Sequence, residues 1–531
     1  MATDTVKIDD LQRLRRFFYL GNDHGLYRVR VGPERCLSAE SAPIVNDLLA
    51  KGRGEEVVEE VVKFLSGDRT CCTNHAPALF TLAMCARFED QSQTTKQAAV
   101  KAMGKACSST ADLFQFISFA QCLRESRRGW GRSLKNGVQR WFDSKTSMEL
   151  AEIVTRQKTG SKWSYIDLLR VTHVVPKTEG AKMIVRYLAR SLQAAEEEFG
   201  GDKASPELKE TLAYLGALEQ LKTEKDVAVA VGLIEEYKFH PKQVAPHLQQ
   251  FAQVWSFTTT LTQVSLVELL HNIGNLARRA LLEPVEPVSG DIVQRIQDEE
   301  YIRKEKLSPI AVLIAMRVYE QGSSLKWTRN GAVVEALNNA FATALKYNVE
   351  STNKRYLLAI NINNQFLCWV HGARVLSPVI AAASIAVILA HTEKEPTMAF
   401  FNKEVRPLSF ITSVQMPEIC EKIVQCATAP EAGRSKCDLV IPIMWAQKAS
   451  EPYDVIIIMT DHRNPSASAD LATAFKQYRS TMKLPQAKLV VCSVTASHIQ
   501  FADSSDAGML DIAGFDERVP DVIHKFVTGM L

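Results

Sequence analysis

The hydrophobic periodicity of this chain changes once, near residues 348–354, and that change limits the folds open to it. Upstream, the segments 76–87, 94–107, 113–125, 181–199, 207–221, 261–282 and 309–320 carry apolar residues at i, i+3, i+4 and i+7, the period of amphipathic helices. Short polar or glycine-containing links join them. Helix after helix with brief turns points to stacked antiparallel pairs of the HEAT-like kind. No fixed repeat length is visible, so an irregular helical domain is the alternative. Downstream of the polar link NVESTNK, continuous apolar runs of strand length occur at 356–360, 397–401, 455–459 and 489–491. Helical stretches at 379–390, 417–426 and 469–482 alternate with them. Buried strands alternating with helices predict a doubly wound, mostly parallel sheet. Two domains are therefore expected, 1–350 and 354–531.

Charge is concentrated in the first of them. Residues 124–190 hold fifteen Lys or Arg against six Asp or Glu, an excess of +9, while the whole chain of 531 residues carries +3. Trp130, Trp141, Trp163 and Tyr165 lie among these charges. Local base with interleaved aromatics suits a phosphate-backbone binder; a solvated helical face is the plainer reading. Two patterns favour the binder. In GRSLKNGVQRWF (131–142), Leu134, Val138 and Trp141 share one helical face, and Arg128, Arg132, Lys135 and Gln139 the opposite one. Gly137 weakens this helix without forbidding it. In KTGSKWSYIDLLRVTHVVP (158–176), Ser164 and Asp167 form an S-x-x-D capping box that opens a short helix, and Pro176 stops it. His173 then falls in the last turn, behind the polar loop 158–162. Lysines, a hydroxyl and backbone amides suit a phosphate, and an imidazole suits a base or ribose. A C-terminal cap is the alternative role for His173.

At this point the chain resembles a known family. LQRLRRFFYLGNDHGLY (11–27), TKQAAVKA (95–102), WGRSLKNGVQRWF (130–142), GSKWSYIDLLRVTHVVP (160–176), PIMWAQK (442–448) and GMLDIAGFD (508–516) are similar to segments of the Ro autoantigen ribonucleoprotein family. The resemblance implies an α plus α/β fold: a TROVE-type ring of HEAT-like antiparallel helical repeats closed by a doubly wound von Willebrand factor A-like domain. It implies Y RNA-like small noncoding RNA on the outer face, and single-stranded 3′ ends of misfolded noncoding RNA in the central hole. It places His173 and the 158–162 loop on the RNA surface. Expected phosphate contacts are Arg127, Arg128, Arg132 and Lys135. Lys158, Thr159 and Lys162 are expected at the loop, with Arg170 and His173 completing the surface. A protein-interaction scaffold that has lost RNA binding is the rival reading.

The same resemblance exposes a departure. A-like domains with a working metal site carry Asp-x-Ser-x-Ser after the first strand, a Thr on a second loop and an Asp on a third. Here Asn361, Asn363 and Gln365 occupy the first loop, Ser435 stands where Thr is expected, and Asp461 keeps its type. Magnesium favours hard oxygen ligands with carboxylate charge, and Lys436 adds repulsion. The expectation is a dismantled metal site, a weak site built from amide oxygens being the alternative, and no cofactor.

The remaining sequence offers little for catalysis. Phosphate-loop, zinc-protease, nucleophile-elbow and dinucleotide fingerprints are lacking. Cys437 beside Asp438, with His462 on another loop, makes only a weak thiol site. Cys71-Cys72-x-x-His75 lacks a second ligand pair at zinc spacing. The eleven cysteines form no paired framework, and the N-terminus lacks an apolar signal core. The apolar run 375–390 contains Pro378 and is short for a bilayer. The expectation is a non-catalytic protein of the cytoplasm, with the nucleus also open. Neither membrane nor DNA is an expected partner, while protein partners are open through the A-like domain.

Overall fold

The computed structural model describes residues 6–29, 37–67, 74–88, 93–123, 131–156, 163–249, 251, 254, 264–323, 327–362, 369–394, 396–408, 420–425, 438–461 and 468–531. Its first part is helical. Helices Gly54–Ser66, Thr94–Ala106 and Arg132–Asp143 lie side by side in one layer, and Ala76–Arg87 packs on Thr110–Cys122 in a second. The three first-layer helices begin 40 and 38 residues apart, so the HEAT-like period is present in space though not in residue identities.

These helices stack closely because small residues let them. A Cβ added at Gly54 would sit 2.2 Å from the Oγ1 of Thr95, and one at Gly137 would sit 2.3 Å from the Sδ of Met103. Gly137 is thus a contact residue rather than a weakness in its helix. The Gly54–Thr95 contact joins two first turns, so those helices run parallel. Helix Ala76–Arg87 is covered by five neighbouring helices, and every residue from Ala76 to Ala86 is buried. That explains its all-round apolar, alanine-rich composition.

Local signals set the helix ends. Capping boxes open the helices at Asp10, Thr110, Ser147 and Tyr165. Two segments expected as single helices are broken. Within 181–199, Ser191 accepts from the Ala194 amide as a fresh N-cap, separating Glu179–Ala189 from Leu192–Phe199. Within 261–282, helices Leu266–His271 and Ile273–Arg278 meet at Asn272, whose side chain bonds back to the Glu268 carbonyl. Pro176 does not end helix Tyr165–Thr172. His173 does, three residues earlier, by turning left-handed.

The second part is the expected sheet with additions. Among the described residues seven strands, β1 Leu26–Arg28, β2 Tyr356–Asn361, β3 Thr397–Phe401, β4 Val405–Leu408, β5 Val455–Thr460, β6 Lys488–Ser493 and β7 Met509–Ala513, stand in the order β1-β7-β6-β5-β2-β3-β4. All pairs are parallel except β3 with β4. Helix Pro378–Thr392, which contains most of the long apolar run, is buried against the sheet; no described helix is long and apolar enough to cross a membrane.

Strand β1 belongs by sequence to the helical half, so the sheet draws an edge strand from across the 350/354 boundary. Leu26 lies opposite Asp511 and Arg28 opposite Ala513. Tyr27 donates to Asp516 at 2.9 Å, and the buried Arg16 donates to the Ala507 carbonyl at 2.8 Å. The preceding helix Asp10–Leu20 places Leu14, Phe17 and Phe18 in the helical core, while Leu20 joins the sheet core. The far end of the helical array reaches the same domain. Ile310, Leu313 and Leu345 share the sheet core, Ser308 donates to the Glu517 carbonyl at 2.9 Å, and His271 meets the Glu517 carboxylate at 3.0 Å. With both ends seated on one domain, the array is a closed ring.

The stacking contact yields a direct test. Gly54→Ala places a methyl against a β-branched side chain held on a neighbouring helix. Overpacking of this kind costs about 1–3 kcal/mol, so the variant is expected to unfold at lower urea concentration than the parent. Ala at exposed Gly201, where an added Cβ meets nothing within 4 Å, is the control that should not.

Candidate nucleic-acid interface

Helix Arg132–Asp143 buries the apolar face its sequence predicts, but its exposed side runs through Arg132, Asn136 and Arg140, with Gln139 half-buried and Arg128 outside the described residues. Leu134, Val138, Trp141 and Phe142 are buried, whereas Arg132 is exposed and Lys135 half-buried. Trp141 is fixed by its indole N–H, which donates to the Cys107 carbonyl at 2.6 Å. Its ring and that of Tyr165 lie in the core, 6.2 Å apart. Neither is available to stack on a base, which corrects the expectation drawn from their position among the charges. They sit there because the core face of a short amphipathic helix alternates with its basic face. Trp163 is half-buried, and Trp130 lies outside the described residues.

The basic side chains divide into engaged and disengaged sets. Arg156 pairs with Glu152 at 2.7 Å, Arg186 with Glu198 at 2.9 Å, and the Lys145 ammonium lies 4.9 Å over the Trp141 ring. Arg132, Lys135, Arg140, Arg170, Lys177, Lys182 and Arg190 make no salt bridge or side-chain hydrogen bond among the described residues, and all but the half-buried Lys135 are exposed. An exposed cation without an acidic partner keeps its full field for a ligand.

Two structural features organise this set. First, helices Thr94–Ala106 and Arg132–Asp143 flank a groove of about 500 Å³, lined by Thr94, Gln97 and Lys101 on one side and Ser133, Asn136 and Arg140 on the other. A Cβ added at Gly137 would lie 3.2 Å from Val100 and one at Gly104 3.6 Å from the Ser144 Oγ, so contacts advance in the same direction on both chains and these helices also run parallel. Among the described residues Glu55 is its one acidic lining residue. Second, Asp143 accepts from the amides of Lys177 at 2.7 Å and Thr178 at 3.2 Å. This clip holds the end of the basic helix against the segment that follows His173, bringing Arg140 and Lys177 to one region. Arg132 lies eight residues before Arg140, roughly 12 Å along the helix.

His173 is the C-cap of helix Tyr165–Thr172, at φ 49° and ψ 46°. Its backbone N–H donates to the Leu169 carbonyl at 2.8 Å, so the main chain does the capping. The side chain is exposed and makes no hydrogen bond among the described residues. Both roles considered for this residue are thus divided between its backbone and its ring. Arg170, one turn earlier, is exposed. Arg127, Arg128, Lys158, Thr159 and Lys162 lie outside the described residues.

Sequence reasoning missed Arg140, Lys177 and the partner helix of the groove. Arg132, Asn136 and Arg140 recur at i, i+4 and i+8, a signal that was available. Gln97 and Lys101 fall in the segment TKQAAVKA, but nothing local links that segment to the basic helix.

Other candidate sites are plainer. Asn361 ends β2 and Asp461 follows β5, its neighbour in the sheet; both are buried. The Asn361 amide nitrogen donates to the Thr460 hydroxyl at 3.1 Å. This bond leaves the Asn361 carbonyl oxygen, the atom that would ligate a cation, buried with no hydrogen-bond partner among the described residues, and Asp461 sets a single carboxylate on the neighbouring strand end. Asn363, Gln365 and Ser435 lie outside the described residues, as do Cys437 and His462 of the thiol alternative. His75 is structural: its Nδ1 meets Asp112 at 2.8 Å. Burial raises the Asp112 carboxyl, but the His75 and Ser109 hydrogen bonds outweigh it and hold the group below its ordinary value.

Comparison with known proteins agrees with this architecture. Residues 3–250 match the TROVE domain model and residues 355–527 the Ro60 vWA domain model. The chain is 28% identical over 591 residues to "RNA-binding protein RO60" of Caenorhabditis elegans, covering 99% of this chain and 89% of that protein. It is 28% identical over 533 residues to "RNA-binding protein RO60" of Deinococcus radiodurans, covering 98% and 93%. The crystal structure of the Deinococcus radiodurans RO (RSR) protein superposes with a TM-score of 0.82 at 24% identity, covering 98% of this chain and 100% of that one.

Two substitutions separate fold from site. His173→Gly suits the left-handed backbone and should leave the melting temperature unchanged or slightly raised. His173→Val forces a β-branched residue into that conformation and should be less stable than His173→Gly by about 1–2 kcal/mol. Equal melting of the two would contradict the observed cap. Asn361→Asp sets a second buried carboxylate beside Asp461, and should lower the melting temperature in chelator at neutral pH. Recovery on adding magnesium would show that the loop scaffold is intact.

Proposed function

Because this chain belongs to the Ro60 family, we propose that it is a non-catalytic RNA-binding protein of a small ribonucleoprotein. On this reading the outer face of the ring holds a Y-type small noncoding RNA, and the central hole takes single-stranded 3′ ends of misfolded noncoding RNA, in RNA storage or quality control. Relatives bearing the name RNA-binding protein RO60 support the class of ligand. The observation that carries the reading in this chain is the set of seven basic side chains, Arg132 to Arg190, that make no salt bridge among the described residues. A decayed surface would have no reason to keep so many cations out of salt bridges.

The chemistry follows from position. Arg132, Lys135 and Arg140 along one helix present charge to a phosphate backbone, which gives affinity without sequence preference. Lys177 and Arg170 extend that surface past the Asp143 clip. The His173 ring, exposed at a fixed backbone turn, can stack on or hydrogen-bond to an unpaired base or a 2′-hydroxyl. The A-like domain closes the ring and offers a surface for protein contacts without calling on a metal ion.

Gel shifts of a small hairpin RNA across a salt series test this. The double variant Arg132→Glu, Lys135→Glu should bind more weakly, and its log–log salt slope should flatten by about 2, near one unit per lost phosphate contact. His173→Gly should lower affinity with the salt slope preserved. Unchanged affinity and slope in the double variant would remove this helix from the interface. No binding by the parent at low salt would leave the scaffold reading.

A further inference from the structure

A second cationic cavity lies on the sheet domain, away from the helical surface. It sits at the amino ends of β5 and β6, the opposite end of the sheet from Asn361 and Asp461. Its volume is about 330 Å³, and Lys354, Asp454, Gln486, Lys488 and Thr528 are among the residues that line it. Lys488 is half-buried, donates to the Phe526 carbonyl, and lies 4.9 Å over the Phe526 ring. Lys354 is exposed and makes no salt bridge among the described residues.

The charge around the cavity does not balance. Among the described residues Asp454 is its one acidic lining residue, and Arg355 already grips that carboxylate at 2.7 and 2.9 Å while also donating its backbone N–H. Buried Arg479 is matched by buried Asp506 at 2.5 Å. Arg16 is buried on the Ala507 carbonyl. Among the described residues, two lysines therefore face the space with Asp454 as the one lining carboxylate; the Arg355 hydrogen bond comes first in holding that group below its ordinary value and the charge of Lys354 adds to it, so positive charge is in excess. Burial, then the charges of Arg16, Lys354 and Arg479, push the Lys488 ammonium down to about 8. An anion here would relieve that repulsion.

We propose that this cavity binds a phosphate group, held between Lys488 and Lys354, with the Gln486 amide as a neutral donor; the Thr528 hydroxyl, which donates to the His524 carbonyl at 2.9 Å, only lines the space. Two ammonium groups match the double charge of inorganic phosphate or a phosphate monoester at neutral pH. The space is at the small end of ligand cavities, so the ligand is a free phosphate or a single nucleotide rather than a long strand. This site is independent of the RNA surface, and its failure would leave that reading untouched.

The test uses the full chain near pH 7.5, with inorganic phosphate, adenosine monophosphate and adenosine as separate probes against chloride of equal ionic strength. Two readouts are taken: the melting temperature, and the rate at which Lys488 is acetylated by a soluble reagent, followed by peptide mass spectrometry. At ten times its dissociation constant, phosphate should raise the melting temperature by about 2 °C and slow acetylation of Lys488 about tenfold. Adenosine monophosphate acting at lower concentration than phosphate would identify a nucleotide as the source, and equal action the phosphate alone. The thermal shift should vanish in Lys488→Met and shrink in Lys354→Gln. An equal shift in Lys488→Met, equal protection by adenosine, or unaltered acetylation of Lys488 would overturn the proposal. The acetylation readout needs no variant, so a poorly folding Lys488→Met does not remove the test.

Discussion

Three residues, Leu26–Arg28, join the start of the helical array to the sheet that ends the chain. Without them β7 would present an open edge of unpaired amides and carbonyls, and the array would be anchored at one end only. The pairing is short, so it depends on what surrounds it. Val29 extends the ladder to the Ala513 carbonyl, Gly25 accepts from the Asp511 amide, and Arg16 and Tyr27 anchor on either side. Loop-closure entropy grows only with the logarithm of loop length. A partner several hundred residues away is therefore little harder to hold than one at moderate separation, provided the seam itself is well packed.

How much of this is legible in the sequence depends on what each element buries. Strands β2, β3, β5 and β6 read as continuous apolar runs because helices cover both faces of the sheet. The other three do not. β4 is an edge strand whose apolar ends, Val405 and Leu408, are separated by Arg406 and Pro407. β7 is interrupted by Asp511, whose carboxylate accepts from the Phe501 and Ala502 amides even though burial raises it to about 6. β1 is three residues long and ends in Arg28. Its strand character comes from β7, and no local pattern announces it.

The candidate interface divides in the same way. Its local part, a basic helix followed by a capped helix and an outward His173, follows from spacing and capping chemistry. Its non-local part does not. The groove needs Lys101 and Arg140 on helices that are parallel neighbours only because Gly137 admits the Met103 side chain. The Asp143 clip needs a backbone turn at Lys177. Aromatic residues misled for a physical reason: at helical spacing a core Trp and a surface Arg are sequence neighbours, and only the fold separates them. For the A-like domain, Asn361 and Asp461 are recognisable as counterparts only against a family pattern.

The pairing of β1 with β7 also sets a schedule. Residues 26–28 leave the ribosome about 485 residues ahead of the strand they join. At ordinary elongation rates that is roughly 25–100 s. During this interval the first helix can dock on its helical neighbours, but Leu20, Tyr27 and Val29 have no core to enter. The ring therefore cannot close while it is being made. A nascent chain carries an open array with an unpaired, partly apolar N-terminal segment until the last strand emerges, and during that time anything destined for the interior has free access from the side.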